Sequence, residues 1–440
     1  MEKVLRIDKN VDKSVKNHST YSEAYAWFIW SFAGLFYCYQ FVLRVSPSVM
    51  TDFLMRDFAI EACSLGILSA FYYNSYTTLQ VPIGLAMDKF GPTRLMRAAV
   101  LLCVAGTVIF SISDSLYFAA FGRLIIGMGS TCAFLGSVKL ATIWFKPERL
   151  ALVVGFTLLA GKIGATLGQA PMAYLTTMMG WRGALYIISG IGVLIAIGIW
   201  IFIKDEPPYG VQGLDKDHDT SYRKLFSRLK DIAINYRIWA LGIYGSMMYV
   251  PLSAFADLWG TPYLMKLYDI SREQAGFATS MIFIGAGIGS PLVAIISDYF
   301  EDRKWTMIWG AVLSLVVNAI IIMVANIPYA AMLGLLLLVG IFFSSQPLIF
   351  SSVCQITPHA SNGTVVSFAN MIVMISGVVM QPLLGYLLDW IWTGTKDNGV
   401  PLYSISDYRF ALTSILICLL IGLVMMIFVP ETFPKGQNKA

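Results

Sequence analysis

Charge is what this sequence has least of. Of its 440 residues only 13% are Asp, Glu, Lys or Arg, while 57% are hydrophobic. A soluble chain needs polar surface to cover its core, so this balance excludes a water-exposed globular fold for most of the length. Histidine is scarce, with His18, His218 and His359 all in polar stretches. The six cysteines form no CxxC pair, and all but Cys63 fall inside apolar runs. They read as small apolar side chains, not as a disulfide framework or metal ligands. No phosphate-binding loop, nucleophile elbow or metal-ligand cluster occurs. An enzyme is therefore not expected, nor a cofactor or metal. Without an ATP-binding motif, any driving force must come from a gradient or from the solute itself.

What is present is a succession of long apolar runs. A helix crossing a bilayer needs roughly 20 apolar residues. Runs of that length fall near 24–50, 62–86, 95–113, 116–141, 149–175 and 182–203, then near 238–264, 274–297, 305–325, 329–356, 364–388 and 408–430. The expected fold is an all-α membrane protein with twelve transmembrane helices. The polar stretch 204–237 divides it into bundles at 24–203 and 238–430, flanked by tails at 1–23 and 431–440. The Lys-rich first tail is read as disordered and cytoplasmic, leading into a signal anchor. Placing both termini in the cytoplasm puts 22 Lys and Arg on that side and 5 on the other, which decides the orientation. The net charge of +5 is thus a topology signal and not a nucleic-acid footprint. The expected location is a bacterial inner membrane, with the lipid bilayer as solvent.

After the second run comes Gly84-Leu85-Ala86-Met87-Asp88-Lys89-Phe90-Gly91-Pro92-Thr93-Arg94. This stretch resembles the signature loop of the major facilitator superfamily, G-x-x-x-D-[RK]-x-G-x-[RK]-[RK], with small departures at its end. In physical terms, Gly84 permits close helix approach, Asp88 can accept from a helix N-terminus, and Gly91 turns the chain. Ser297-Asp298 to Arg303-Lys304 occupies the equivalent place in the second half without the glycines, and Gly122-Arg123 through Gly129 resembles the family's fourth-helix motif. The resemblance implies two pseudo-symmetric six-helix halves, a cavity lined mainly by helices one, four, seven and ten, and a monomer. It also assigns Arg123 to structure or coupling, and Asp88 and Arg94 to the gating loop. A faint internal echo agrees: the fifth run ends Gly168-Gln169-Ala170-Pro171 and the eleventh ends Gln381-Pro382.

Ionisable groups within a span cost several kcal/mol unless they face protein or water, so each is a functional candidate. Lys162 lies midway along the fifth run, between the small residues Gly161, Gly164 and Gly168. A lone ammonium at that depth suits a substrate carboxylate; the competing reading is an ion pair with another helix. Tyr37, Gln40 and Arg44 share one face of the first run, and Tyr73, Tyr76 and Gln80 one face of the second. Ser246, Tyr249, Ser253 and Asp257 stripe the seventh, Asn370, Met374, Gly377 and Gln381 the eleventh, and Gln346 precedes Pro347 in the tenth. Asp257 and Arg44 occupy the outer third of opposite halves. They could pair across a gate, Asp257 could carry a proton, or the two could form a plain salt bridge.

Phe121 through Gly129, Trp144-Phe145-Lys146, Gly155-Phe156 and Lys162-Ile163-Gly164 resemble the group containing the lysosomal dipeptide transporter of animals and its bacterial relatives. That group has a basic residue where Lys162 stands, implicated in holding a peptide carboxylate. Its animal members add a Glu in helix four, where this chain reads Ser130-Thr131-Cys132. The expectation is a secondary transporter of a small carboxylate-bearing solute (amino acid, short peptide or organic acid), proton-coupled or facilitative. The alternative is an exporter of a siderophore or lipophilic compound.

Overall fold

A computed structural model of the chain describes residues 23–204, 232–357, 362–397 and 399–433. The three histidines, most of the 204–237 linker and both tail ends lie outside those residues. Ten described stretches are long and apolar enough to cross a membrane. Glu148–Phe202 is too long for one crossing and breaks twice. At Gly168 and Gln169 the backbone leaves the helix, and Gly180 takes φ +74°, which lets the fifth span turn into the sixth without a loop. The second span, Ala62–Phe90, has the length but not the apolarity, since it carries Tyr72, Tyr73, Asn74, Ser75, Tyr76, Thr77, Thr78 and Gln80. Splitting the one and adding the other gives twelve spans among the described residues.

The others are Glu23–Val45, Pro92–Ser111, Leu116–Trp144, Arg303–Met323, Asn362–Ile391, Ile405–Met425 and Arg272–Tyr299, with two interrupted ones. The seventh span runs Tyr236–Val250, Pro251–Trp259 and Gly260–Tyr268, and its middle piece is π-helical. The tenth breaks between Tyr329–Phe343 and Leu348–Ile356, ahead of Pro347. Span starts carry the caps that orphan N–H groups require: Ser115, Ser271, Asp302 and Ser404 each accept from the first turn.

Packing repeats after six spans. Span one lies on five, two on four and three on six; likewise seven lies on eleven, eight on ten and nine on twelve. Between halves, two packs along eleven and five against eight. We call the side where spans one and twelve begin and end, respectively, the terminal face, and its opposite the far face. Cross-half contact is tight toward the far face. A Cβ on Gly66 would lie 2.4 Å from Gln381 O, and one on Gly385 2.3 Å from Ala62 O. Arg272 bridges to Asp52 at 2.7 Å, and Asp389 accepts from the N–H groups of Ala62 and Cys63. At mid-depth the fit loosens, a Cβ on Gly287 having its nearest neighbours, in Leu159 and Lys162, at 3.9 Å.

One expectation needs correction. Gly84 meets only Ser367 Oγ, at an ordinary 3.5 Å, so the close approach of spans two and eleven falls on Gly66 and Gly385 instead. The seventh span is not a continuous α-helix. Gly161, Gly164 and Gly168 do face a neighbour: a Cβ on Gly164 would lie 2.1 Å from Cys38 O of span one. Gly91 turns the signature loop with φ +79°. Near the chain's end, Glu431 accepts from the N–H groups of Arg303, Lys304, Thr432 and Phe433 and so caps the ninth span.

Candidate functional site

The first span ends in Leu43-Arg44-Val45, where Arg44 is 3% exposed. Its Nε lies 2.9 Å from Asp257 Oδ2. It also donates to the Tyr73 hydroxyl, at 2.6 Å from Nη2, and to the Tyr249 hydroxyl. Tyr73 in turn donates to Asp257. Tyr73 belongs to span two, Tyr249 and Asp257 to span seven, so this knot of four side chains joins the halves. The guanidinium centre lies 4.7 Å from the Tyr73 ring centroid, which adds a cation–π contact. Burying two opposite charges is tolerable only when their remaining hydrogen-bonding capacity is met, and here two phenols do so.

The π-helical piece makes this convergence possible. In an α-helix a spacing of four residues overshoots one turn, so Tyr249, Ser253 and Asp257 would drift around the helix. The wider winding of Pro251–Trp259, in which the Gly260 N–H reaches Phe255 O, lowers the angle per residue and lets Tyr249 and Asp257 meet one guanidinium.

Lys162 is half-buried on the fifth span. Its Nζ lies 5.2 Å from the Phe343 ring centroid, beside the break in span ten. Among the described residues no carboxylate comes within ion-pair reach of it. Arg123, fully buried, is engaged differently. It donates to the carbonyls of Leu43 at 2.8 Å, Ser69 at 3.4 Å and Arg44 at 3.5 Å, and lies over Tyr72. It buttresses the end of span one and so sets the backbone that carries Arg44.

The remaining candidates separate. Gln40 accepts from Tyr72 at 2.6 Å and is turned into its own half. Tyr37 packs on Phe41 and Phe134. Tyr76 of span two faces Asn370 of span eleven. Gln346, in the span-ten break, has a buried Nε2 without a partner among the described residues. Arg94 is exposed in the first turn of span three, where Arg97, not singled out from the sequence, donates to Trp200 O and Ile203 O. The Asp88 side chain lies outside the described residues. Two contributors escaped sequence reasoning as site residues, Phe343 and Gln169, while Tyr249 and Gln381 were marked only as members of polar stripes. Pro251 inside the seventh run and the echoed glutamine–proline pairs were the available signals.

The model of the Major Facilitator Superfamily matches residues 30–261 and 255–440. An uncharacterized transporter of Bacillus subtilis, YybO, is 24% identical over 82% of this chain and 87% of its own length. A probable galactarate/D-glucarate transporter of Escherichia coli, GudP, is 22% identical over 82% and 86%. Among solved structures, an inward-facing, occupied bacterial homolog of the human lysosomal transporter Spinster superposes with TM-score 0.74 at 15% identity, covering 93% of this chain and 97% of its own. With twelve spans in two repeating halves and a buried polar junction between them, the chain is a member of the Major Facilitator Superfamily, a multi-pass membrane transporter and not an enzyme.

Proposed function

We propose that this transporter moves a small carboxylate-bearing organic solute, the carboxylate resting on Lys162, by rocking its two halves about that site. One observation carries the reading. Of the three cations Arg44, Arg123 and Lys162, Arg44 is neutralised by Asp257 and Arg123 is engaged by three carbonyls of its own half, while Lys162 has no acidic partner among the described residues. An uncompensated ammonium at that depth is costly, and an anionic solute offsets the cost. The name of the Escherichia coli relative, a probable galactarate/D-glucarate transporter, points to the same chemistry. Phe343 and Tyr249 supply aromatic walls, and Gln346 a free amide donor for a second polar group.

Asp257 and Arg44 act in this reading as the far-face gate, and a proton on Asp257 is the candidate coupling ion. Arg94 and Asp88 belong to the terminal-face loop, which closes when the far face opens. The chain works as a monomer in a bacterial inner membrane with its terminal face to the cytoplasm, an orientation resting on the Lys and Arg bias.

The test is a thermal-shift panel on purified protein, wild type beside Lys162→Ala. Amino acids, dipeptides, sugar acids and di- and tricarboxylates serve as ligands. A stabilising carboxylate should bind the variant about a hundredfold more weakly, the scale of losing a desolvated charge pair. Equal affinity in the variant removes Lys162 from the site. Stabilisation by lipophilic cations alone, unchanged by the substitution, replaces the anion reading with efflux.

A further inference from the structure

The fifth and eleventh spans each carry a glutamine close to a proline, Gln169 with Pro171 and Gln381 with Pro382, at corresponding places in the six-span repeat. Both side chains are fully buried, and both reach the same target, the π-helical piece of span seven. Gln169 Nε2 donates to Ala256 O at 2.8 Å, and Gln381 Nε2 donates to Ser253 O at 2.6 Å. The Gln381 main-chain carbonyl also accepts from Trp259 Nε1 at 3.0 Å. Ala256 directly precedes Asp257, so these amides hold the backbone that aims the carboxylate at Arg44.

The two grips differ in one respect. Gln381 and span seven belong to the same half, so rocking the halves leaves that bond in place. Gln169 belongs to the other half. Its carbonyl oxygen accepts from Ser48 of its own half and from Thr261 of the opposite one, each at 3.1 Å, while its amide crosses to Ala256. Both cross-half bonds must break when the far face opens. Gln169 itself sits outside helical geometry, at φ −100° and ψ −103°, in the break of span five. That break frees its side chain to reach across.

We infer that Gln169 is a positioning residue that couples far-face closure to the placement of Asp257. With the far face shut, it fixes the Ala256 carbonyl and holds Asp257 on Arg44. When the far face opens, the grip is lost, span seven is held by Gln381 alone, and Asp257 leaves the guanidinium. This rests on the halves rocking about their interface and not on which solute Lys162 takes.

The experiment needs no solute. Spin labels placed at Asp114→Cys and Asn326→Cys, exposed positions on opposite halves of the far face, report its width by electron–electron distance in a background with the native cysteines replaced. Gln169→Ala should raise the open population several-fold over the parent. Gln169→Asn keeps a polar amide in the break but falls one methylene short of Ala256, and should shift the population the same way. Gln381→Ala, which removes the bond within one half, should leave the distribution at that of the parent. A parental distribution in both Gln169 variants overturns the inference. So does an equal shift from Gln381→Ala, which would mark a general loss of packing. If Gln169→Ala does not fold, the Gln169→Asn distribution decides alone.

Discussion

At the scale of single residues, the far-face knot obeys the arithmetic of buried charge. Removing one partner leaves the other desolvated and alone, which costs about 3–5 kcal/mol, whereas removing both can approach neutrality. Arg44→Ala and Asp257→Ala should therefore each lower thermal stability more than the double variant does, and a double-mutant cycle on melting curves reads the coupling. Additive losses would mean that the pair does not interact. A second residue-level expectation concerns Glu431. Burial opposes its ionisation, yet a hydrogen bond shared with Asp302 and those from the N–H groups of Lys304, Phe433 and Arg303 outweigh that and hold the carboxyl well below the usual carboxylate range. An unfolded glutamate titrates near 4.3. The folded form therefore gains its extra stability in full above roughly that pH and loses it as pH falls toward the folded value. Glu431→Gln should accordingly melt below the wild type at neutral pH, with the gap shrinking only in acid; a gap independent of pH would assign the effect to shape. Lys162, Arg44 and Asp257 were legible in the sequence because a charge inside an apolar run is conspicuous. Phe343 was not, since aromatic side chains are common in every span and nothing local marks the ones that meet a cation; Tyr249 was marked only by its place in the polar stripe with Asp257.

At the scale of elements, the glycines separate tolerance from necessity. Gly66→Ala drives a Cβ into the Gln381 backbone. It should cost about 1–3 kcal/mol, as overpacking does. It should also make Cys63, which lies beside the same contact, faster to alkylate with a membrane-impermeant maleimide. Gly84→Ala, meeting only an ordinary contact, should change stability by less than about 0.5 kcal/mol. If the two variants behave alike, the crossing of spans two and eleven is not where the halves are tightest. The twelve runs and their approximate ends were readable because length and, for all but the second, apolarity are set by the bilayer itself. The π-helical piece of span seven was not readable, because its winding is imposed by Pro251 together with amides from spans five and eleven. Those amides are far away in the sequence, and only the echo of Gln169 and Gln381 hinted at them. The break in span ten has a local cause, Pro347, but what it exposes depends on span seven packing beside it.

For the whole molecule, the repeat of packing after six spans suits the proposed mechanism, in which one motion of one half against the other exchanges the open face. On the proposed orientation, which rests on the Lys and Arg bias, the terminal face lies in the cytoplasm. A fluorescent protein fused after residue 440 should then fold and fluoresce, and alkaline phosphatase at the same place should stay inactive; the reverse pattern inverts the orientation. The second span adds a matter of timing. It is too polar to qualify as a membrane-crossing stretch on composition, and in the finished protein it packs along the eleventh span, nine spans later in the chain. At ordinary translation speeds the interval before that partner emerges is on the order of tens of seconds. Until then the second span leans on its early neighbours, the fourth above all, and its own preference for lipid is weak. Biogenesis is thus the stage at which this chain is most exposed. Substitutions that loosen the second span from the fourth should lower the amount of inserted protein, through dependence on an insertase or loss to quality control, before they alter the transport of any molecule that matures.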